Sequence, residues 1–289
     1  MPIMALGTGG FDNATAEAAV KLAFQAGLTH VHSAFDYYNL PGVGRGLAAS
    51  GLARAAYFVS SMTSPCVHPV APPKRNITDP EECYRTTLAE ARTALRLLGV
   101  EHFDLLMLHG PNAPFGDVTS CDALTCELNA AQWRAYTTLL REGEARAIGV
   151  SNYCAACLEC LHATATVLPQ VNQFQFHAGM PGPDPAGLLS ATAAHGAVVQ
   201  AYRPLAHGEG SLLRDATVRD IGAAHGKSAA QVALRWVLQL GHPLVTSTES
   251  VRHMVSDLDV IDWALSEEEM ATLSALDTHP DDPTPMCIL

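Results

Sequence analysis

The chain has 289 residues, 48% of them apolar and 16% charged, which suffices for one large core and is a normal length for a single barrel. Its formal charge is −12 with only 17 Lys and Arg, so a nucleic-acid or anionic-membrane partner is not expected, because clustered basic residues grip both. No N-terminal segment pairs basic residues with an apolar run, and no apolar run approaches the roughly 20 residues that span a bilayer, so a cytoplasmic protein is expected.

Short apolar runs alternate with helical segments along the chain. "IMALGT" (3–8) reads as a strand and precedes the helical "TAEAAVKLAFQAG" (15–27), which closes on Gly27. "THVHSA" (29–34) and "AYFVSS" (56–61) are the next strands, followed by a helix over 79–99 that opens with Asp-Pro and ends at Gly99. Strands at "FDLLML" (103–108), "RAIGVS" (146–151), "QVNQFQ" (170–175), "AVVQAY" (197–202) and "PLVTS" (243–247) complete the series. Helices over 129–143, 228–241 and 265–276 lie among and after them, the last with acids in its first turn, where the helix dipole favours them. Each strand run is short and apolar enough to be buried on both faces. Eight such runs separated by helices predict one α/β domain over 1–289, a closed (β/α)8 TIM barrel. A doubly wound sheet is the alternative, but no G-x-G-x-x-G follows an early strand.

In such a barrel the chemistry sits at the C-terminal ends of the strands. Two long segments, 63–80 and 110–128, belong to that rim and are expected to cover a substrate pocket. The eight cysteines need not be staples in a chain of this length. "CAACLEC" (154–160) gives C-x-x-C-x-x-C, but a closed zinc site wants four ligands, usually as two separated pairs. Small buried residues along one helix face are the expected reading.

Several blocks recur in an order and spacing that together are specific: "AFDYYN" (34–39), "GVGRGL" (42–47), "DLLMLHGP" (104–111), "IGVSNY" (148–153), "VNQFQFH" (171–177), "QAYRPL" (200–205) and "SAAQVALRWVL" (228–238). With them the chain resembles the aldo-keto reductase family from residue 6 to residue 276. The resemblance implies reduction of aldehydes and ketones with NADPH, using an aspartate, a tyrosine, a lysine and a histidine. Tyr37 and His109 match two of these, whereas His32 stands at the aspartate position and Met62 at the lysine position. A lone buried charge is costly, so loss of one member of the ion pair encourages loss of the other. Asp36 lies on a strand-end turn, need not point inward, and is not expected to act as a substitute.

The cofactor blocks are mixed. Ser151, Asn152 and Gln173 match residues that hold the nicotinamide amide, Tyr202 matches the ring that stacks on nicotinamide, and Leu205 ends the same block. The family's grip on the 2′-phosphate aligns with Ser247 and Thr248 through His253, where both expected cations are missing. Glu249 adds a negative charge, and Arg252 is one position out of register. A charge-assisted contact contributes ~1.5–3 kcal/mol, so NAD(P)(H) binding is expected to be weak, with little preference for NADPH.

Three functional readings stay open. The favoured one is a small-molecule enzyme with an altered active site and redox-neutral proton transfer (isomerisation, dehydration or cyclisation), using His32 as a group that titrates near neutrality beside Tyr37 and His109. The second is a divergent NAD(P)(H)-dependent aldehyde or ketone oxidoreductase. The third is a silent barrel that binds a ligand or a protein. His32, Met62 and His109 would suit copper(I) if they converged as ligands, but all three positions have other reasons to hold these residues, and no metal is expected.

Overall fold

The computed structural model describes residues 1–68, 75–113, 121–180, 184–206 and 211–276. Its strands are β1 (Met4–Gly7), β2 (His30–His32), β3 (Phe58–Thr63), β4 (Val67–His68), β5 (Arg75–Asn76), β6 (Leu105–Leu108), β7 (Ile148–Ser151), β8 (Val171–Gln175), β9 (Val198–Tyr202) and β10 (Leu244–Thr246). Its helices are α1 (Asn13–Ala26), α2 (Leu40–Ala49), α3 (Pro80–Leu98), α4 (Ala123–Arg141), α5 (Ala155–His162), α6 (Leu188–Ala194), α7 (Ser211–Arg214), α8 (Ala216–His225), α9 (Ala229–Gln239), α10 (Val251–Leu258) and α11 (Glu267–Ser274). Strands β1, β10, β9, β8, β7, β6, β3 and β2 pair in that order, all parallel, and close a barrel. The fold is the expected (β/α)8 TIM barrel, with all eight expected strands shifted by no more than two residues.

Polar caps set the helix starts. Asp12 accepts from the Thr15 amide and Asp79 from the Glu82 amide, each at 2.7 Å, satisfying donors that a first turn leaves unpaired. Helix α4 starts six residues before the expected 129, because Asp122 caps it by accepting from the Thr125 amide. Within the first long segment, β4 and β5 form a two-stranded antiparallel hairpin that the sequence reading missed. The "GVGRGL" block turns out to be a packing device. A Cβ at Gly42 would fall 2.0 Å from the Asn13 carbonyl oxygen, and one at Gly44 would fall 2.4 Å from that of Leu97. Only glycine lets α2 approach the start of α1 and the end of α3 this closely.

The cysteine reading holds in part: Cys154 and Cys157 are buried, but the cysteines are also staples. Disulfides join Cys66 to Cys83, Cys121 to Cys157 and Cys126 to Cys160, and no described cysteine is free. Two residues of the "CAACLEC" run therefore tie α5 to the start of α4 and the residues just before it. Spacing within the run could not reveal this, since the partners lie more than 30 residues earlier and meet only when the helices pack. No helix among the described residues is long and apolar enough to cross a membrane.

Candidate active site

The strand ends deliver side chains to a cavity of about 610 Å³ at the C-terminal face of the barrel. His32 closes β2, and Tyr37 comes from the single 3-10 turn Phe35–Tyr37 that follows. His109 follows β6, Ser151 ends β7, Gln173 lies in β8, Tyr202 ends β9, and Ser247 follows β10. All of these line the cavity, as do Asn152 and Leu205.

Asp36, whose turn position left its direction open, also lines it. A turn with three residues per revolution sets neighbouring side chains about 120° apart, so Asp36 and Tyr37 reach His109 by different routes. Asp36 Oδ1 lies 2.8 Å from His109 Nδ1, and the Tyr37 and His109 rings meet edge to face with centroids 5.4 Å apart. An ionised carboxylate only accepts, so the proton of this hydrogen bond sits on Nδ1. The Nε2 atom of His109 is then left without a hydrogen bond to any described residue, at the cavity wall.

His32 behaves differently from expectation. It is 3% exposed, and its Nδ1 lies 3.0 Å from Ser60 Oγ, which in turn lies 2.8 Å from His30 Nε2. Burial lowers the pKa of both imidazoles to about 3, so His32 stays neutral across the ordinary pH range and does not titrate near 6.5. Met62 is 1% exposed and does not belong to the cavity lining. It packs beneath with Ala34, Leu105 and Met107, against Tyr37. A neutral hydrogen-bonded chain and a thioether thus fill the space below the site. Burial, then the Asp36 charge, pushes the Tyr37 phenol above its usual range, and Arg203 opposes the shift.

Ser151, Asn152, Gln173 and Tyr202 form a continuous network. Ser151 Oγ donates to the Gln173 carbonyl at 2.9 Å, and Tyr202 Oη donates to Asn152 Oδ1 at 2.9 Å. Asn152, at φ 59°, donates from Nδ2 to the carbonyl of His109 at 2.9 Å, and Gln173 Nε2 donates to Gln200 at 2.8 Å. The carboxamides of Asn152 and Gln173 and the hydroxyl of Ser151 offer both donors and acceptors to one wall, which fits the amide of a nicotinamide ring. The other end lies apart from this wall. Thr248, Arg252 and His253 lie off the cavity lining, and the last two are exposed on α10. Thr248 Oγ1 accepts from the Ser250 amide at 3.1 Å and lies 3.4 Å from His253 Nδ1.

Arg203 went unremarked in the sequence, although it stands inside the "QAYRPL" block. It lines the cavity, with its guanidinium 5.9 Å from the Tyr202 ring centroid. The signal was a cation next to Tyr202; for Asp36 it was an acid next to Tyr37. His177 is buried, with Nδ1 at 2.8 Å from the Ala178 carbonyl. Among the described residues no three His, Cys, Asp or Glu side chains are grouped to hold a metal ion. Met62 lies outside the cavity lining to which His32 and His109 belong.

Comparison with known proteins identifies the family. The model of the Aldo/keto reductase family matches residues 3–278. An aldo-keto reductase of Mycobacterium tuberculosis is 34% identical over 276 residues, spanning 96% of this chain and 87% of the relative. One from Mycolicibacterium smegmatis is 32% identical over 277 residues, with the same coverage. Among solved structures, an aldo/keto reductase from Brucella melitensis superposes with a TM-score of 0.79 at 28% identity, covering 96% of this chain and 95% of that one. The chain therefore belongs to the aldo/keto reductase family, whose members are typically NAD(P)H-dependent oxidoreductases.

Proposed function

We propose that this protein is a nicotinamide-dependent oxidoreductase of small carbonyl or hydroxyl compounds in which the Asp36–His109 pair transfers the proton. The observation that carries the reading is the 2.8 Å contact between Asp36 Oδ1 and His109 Nδ1 beside Tyr37. A bound nicotinamide supplies or accepts the hydride. Ser151, Asn152 and Gln173 hold its amide, and Tyr202 offers the face of its ring. In the reducing direction His109, charged and steadied by Asp36, gives a proton from Nε2 to the carbonyl oxygen. In the oxidising direction the neutral ring takes the hydroxyl proton at the same atom. Tyr37 donates a hydrogen bond to the reacting oxygen and orients it. The weak binding expected for NAD(P)(H), without strong preference for NADPH, is part of the proposal. It is supported by the want of both expected cations along 247–253, and by Thr248, Arg252 and His253 lying off the cavity lining.

Redox-neutral proton transfer at the same pair is the second reading. The absence of a cation below Tyr37 favours it, because Met62 and the neutral His32–Ser60–His30 chain leave the phenol untuned for ordinary reduction. The cavity beside Tyr37 and His109 weighs against a silent barrel. Titration of tryptophan fluorescence with NADH and NADPH tests the first reading. Micromolar to millimolar binding of both supports it, and no binding of either passes the site to the second. Submicromolar NADPH binding with strong preference over NADH would contradict the proposed cofactor site.

The disulfides Cys66–Cys83, Cys121–Cys157 and Cys126–Cys160 weigh for an oxidising compartment and against the expected cytoplasm, because cytosolic thiols are kept reduced. Thiol counting on denatured, unreduced protein tests this. Reactive thiols at Cys66, Cys83, Cys121, Cys126, Cys157 and Cys160 would return the chain to a reducing compartment.

A further inference from the structure

Arg203 is the only lysine or arginine among the described residues that line the cavity, and Asp36 is the only carboxylate. The charge of Asp36 faces His109, whereas no carboxylate among the described residues pairs with Arg203. The backbone makes room for this arginine at a cost, since Arg203 holds φ 51° and Ala206 holds φ 49° in the turn that ends β9. That region is sparsely populated for long side chains and tends to occur where a site demands it. The guanidinium is steadied over the Tyr202 ring, and Nη1 donates to Gln175 Oε1 at 3.3 Å. Both contacts leave most of its five donors unused, in a planar fork that matches two oxygens of a carboxylate or phosphate.

We propose that Arg203 is an oxyanion-binding residue that receives a carboxylate or phosphate group of the molecule occupying the cavity. The catalytic pair and the cation then bracket one ligand, its reacting oxygen at His109 and its anionic oxygens at Arg203. Arg203, Tyr37 and His109 line one cavity of about 610 Å³, which puts the two ends within reach of one small molecule. The anionic oxygens can belong to the substrate or to the diphosphate of a dinucleotide. Only the second source rests on the function proposed above.

The test uses Arg203→Asn, a neutral residue that tolerates positive φ, and Arg203→Lys, which keeps the charge. Calorimetric titrations are run with inorganic pyrophosphate, with NADH, and with the pair 4-carboxybenzaldehyde and benzaldehyde. The asparagine variant is expected to weaken at least one anionic probe on the order of 10-fold, leaving benzaldehyde unchanged, while lysine retains part of the affinity. A loss confined to 4-carboxybenzaldehyde assigns the anion to the substrate. A loss shared by pyrophosphate and NADH assigns it to the cofactor. Equal affinities of every anionic probe for wild type and Arg203→Asn would overturn the proposal, as would no anionic probe binding the wild type. Failure of NADH alone counts against the nicotinamide reading and leaves Arg203 to be judged by the other two probes.

Discussion

Asp36 and His109, 73 residues apart in the chain, share a 2.8 Å hydrogen bond that fixes the imidazole at the cavity wall. In the proposed mechanism this contact supplies an acid–base pair that does not depend on His32. Replacing Asp36 by Asn keeps the shape but turns an acceptor-only group into one that can hold the wrong tautomer. With any aldehyde found to turn over with NADH, Asp36→Asn and His109→Gln should each lower kcat by about 10²–10⁴-fold. Tyr37→Phe should cost less than either. Steady-state kinetics decides the order, and a Tyr37→Phe loss exceeding both would return the proton to the phenol.

The buried histidines make a separate statement about pH. His30 and His32 have pKa values of about 3 in the fold, so an unfolded chain, with ordinary imidazoles, binds more protons below about pH 6.5. Their contribution to stability is complete above that value and is lost progressively as pH falls from 6.5 towards 3. Proton NMR should show two imidazoles that do not titrate between pH 5 and 8, and thermal unfolding should move to lower temperature as pH drops through this window. Mutating both to Asn should flatten the acid side of the curve.

Asp257 has the opposite sign. Burial raises its carboxyl to about 6, although Thr246 Oγ1 donates to it at 3.3 Å. The folded state holds the proton more tightly than the unfolded chain, so this stabilisation is present below pH 4 and disappears as pH rises through 6. Asp257→Asn keeps an acceptor for Thr246 and removes the buried charge. It should raise stability at pH 7.5 by about 2 kcal/mol and have little effect at pH 4, as read by chemical denaturation. Equal stability of the two proteins at pH 7.5 would mean that the carboxylate is solvated there.

The barrel was legible because its signal is local: eight short apolar runs, each followed by a helical period, are read without knowing any contact. The site was legible only where a residue matched a block in place, as Tyr37, His109, Ser151, Asn152, Gln173 and Tyr202 did. What stayed hidden depended on side-chain direction or on distant partners. The inward turn of Asp36 follows from one 3-10 turn, and the neutrality of His32 follows from burial beside Ser60. The bridges from Cys121 and Cys126 to α5 follow from helix packing. None of these has a periodicity to betray it.

The neutral layer beneath Tyr37 offers the most direct test of whether the site is altered. Met62 is buried among Ala34, Leu105, Met107 and Tyr37, so Met62→Lys alone would place an ammonium there without a carboxylate. An uncompensated buried charge costs several kcal/mol, on the order of 3–5, so that variant should be strongly destabilised. Adding His32→Asp supplies the partner, at the position where the family's aspartate aligns, and should recover much of the loss. The paired charges should also pull the Tyr37 phenol back down, since a nearby ammonium favours its ionised form. The double variant is then expected to reduce generic aldehydes with NADH faster than the wild type, by 10-fold or more on the general-acid scale. Stopped-flow measurement of hydride transfer in the wild type and the two variants checks both halves. A wild type already turning over at about 1 s⁻¹ or more would show that the neutral layer costs nothing. A double variant as unstable as Met62→Lys would show that the two positions no longer communicate.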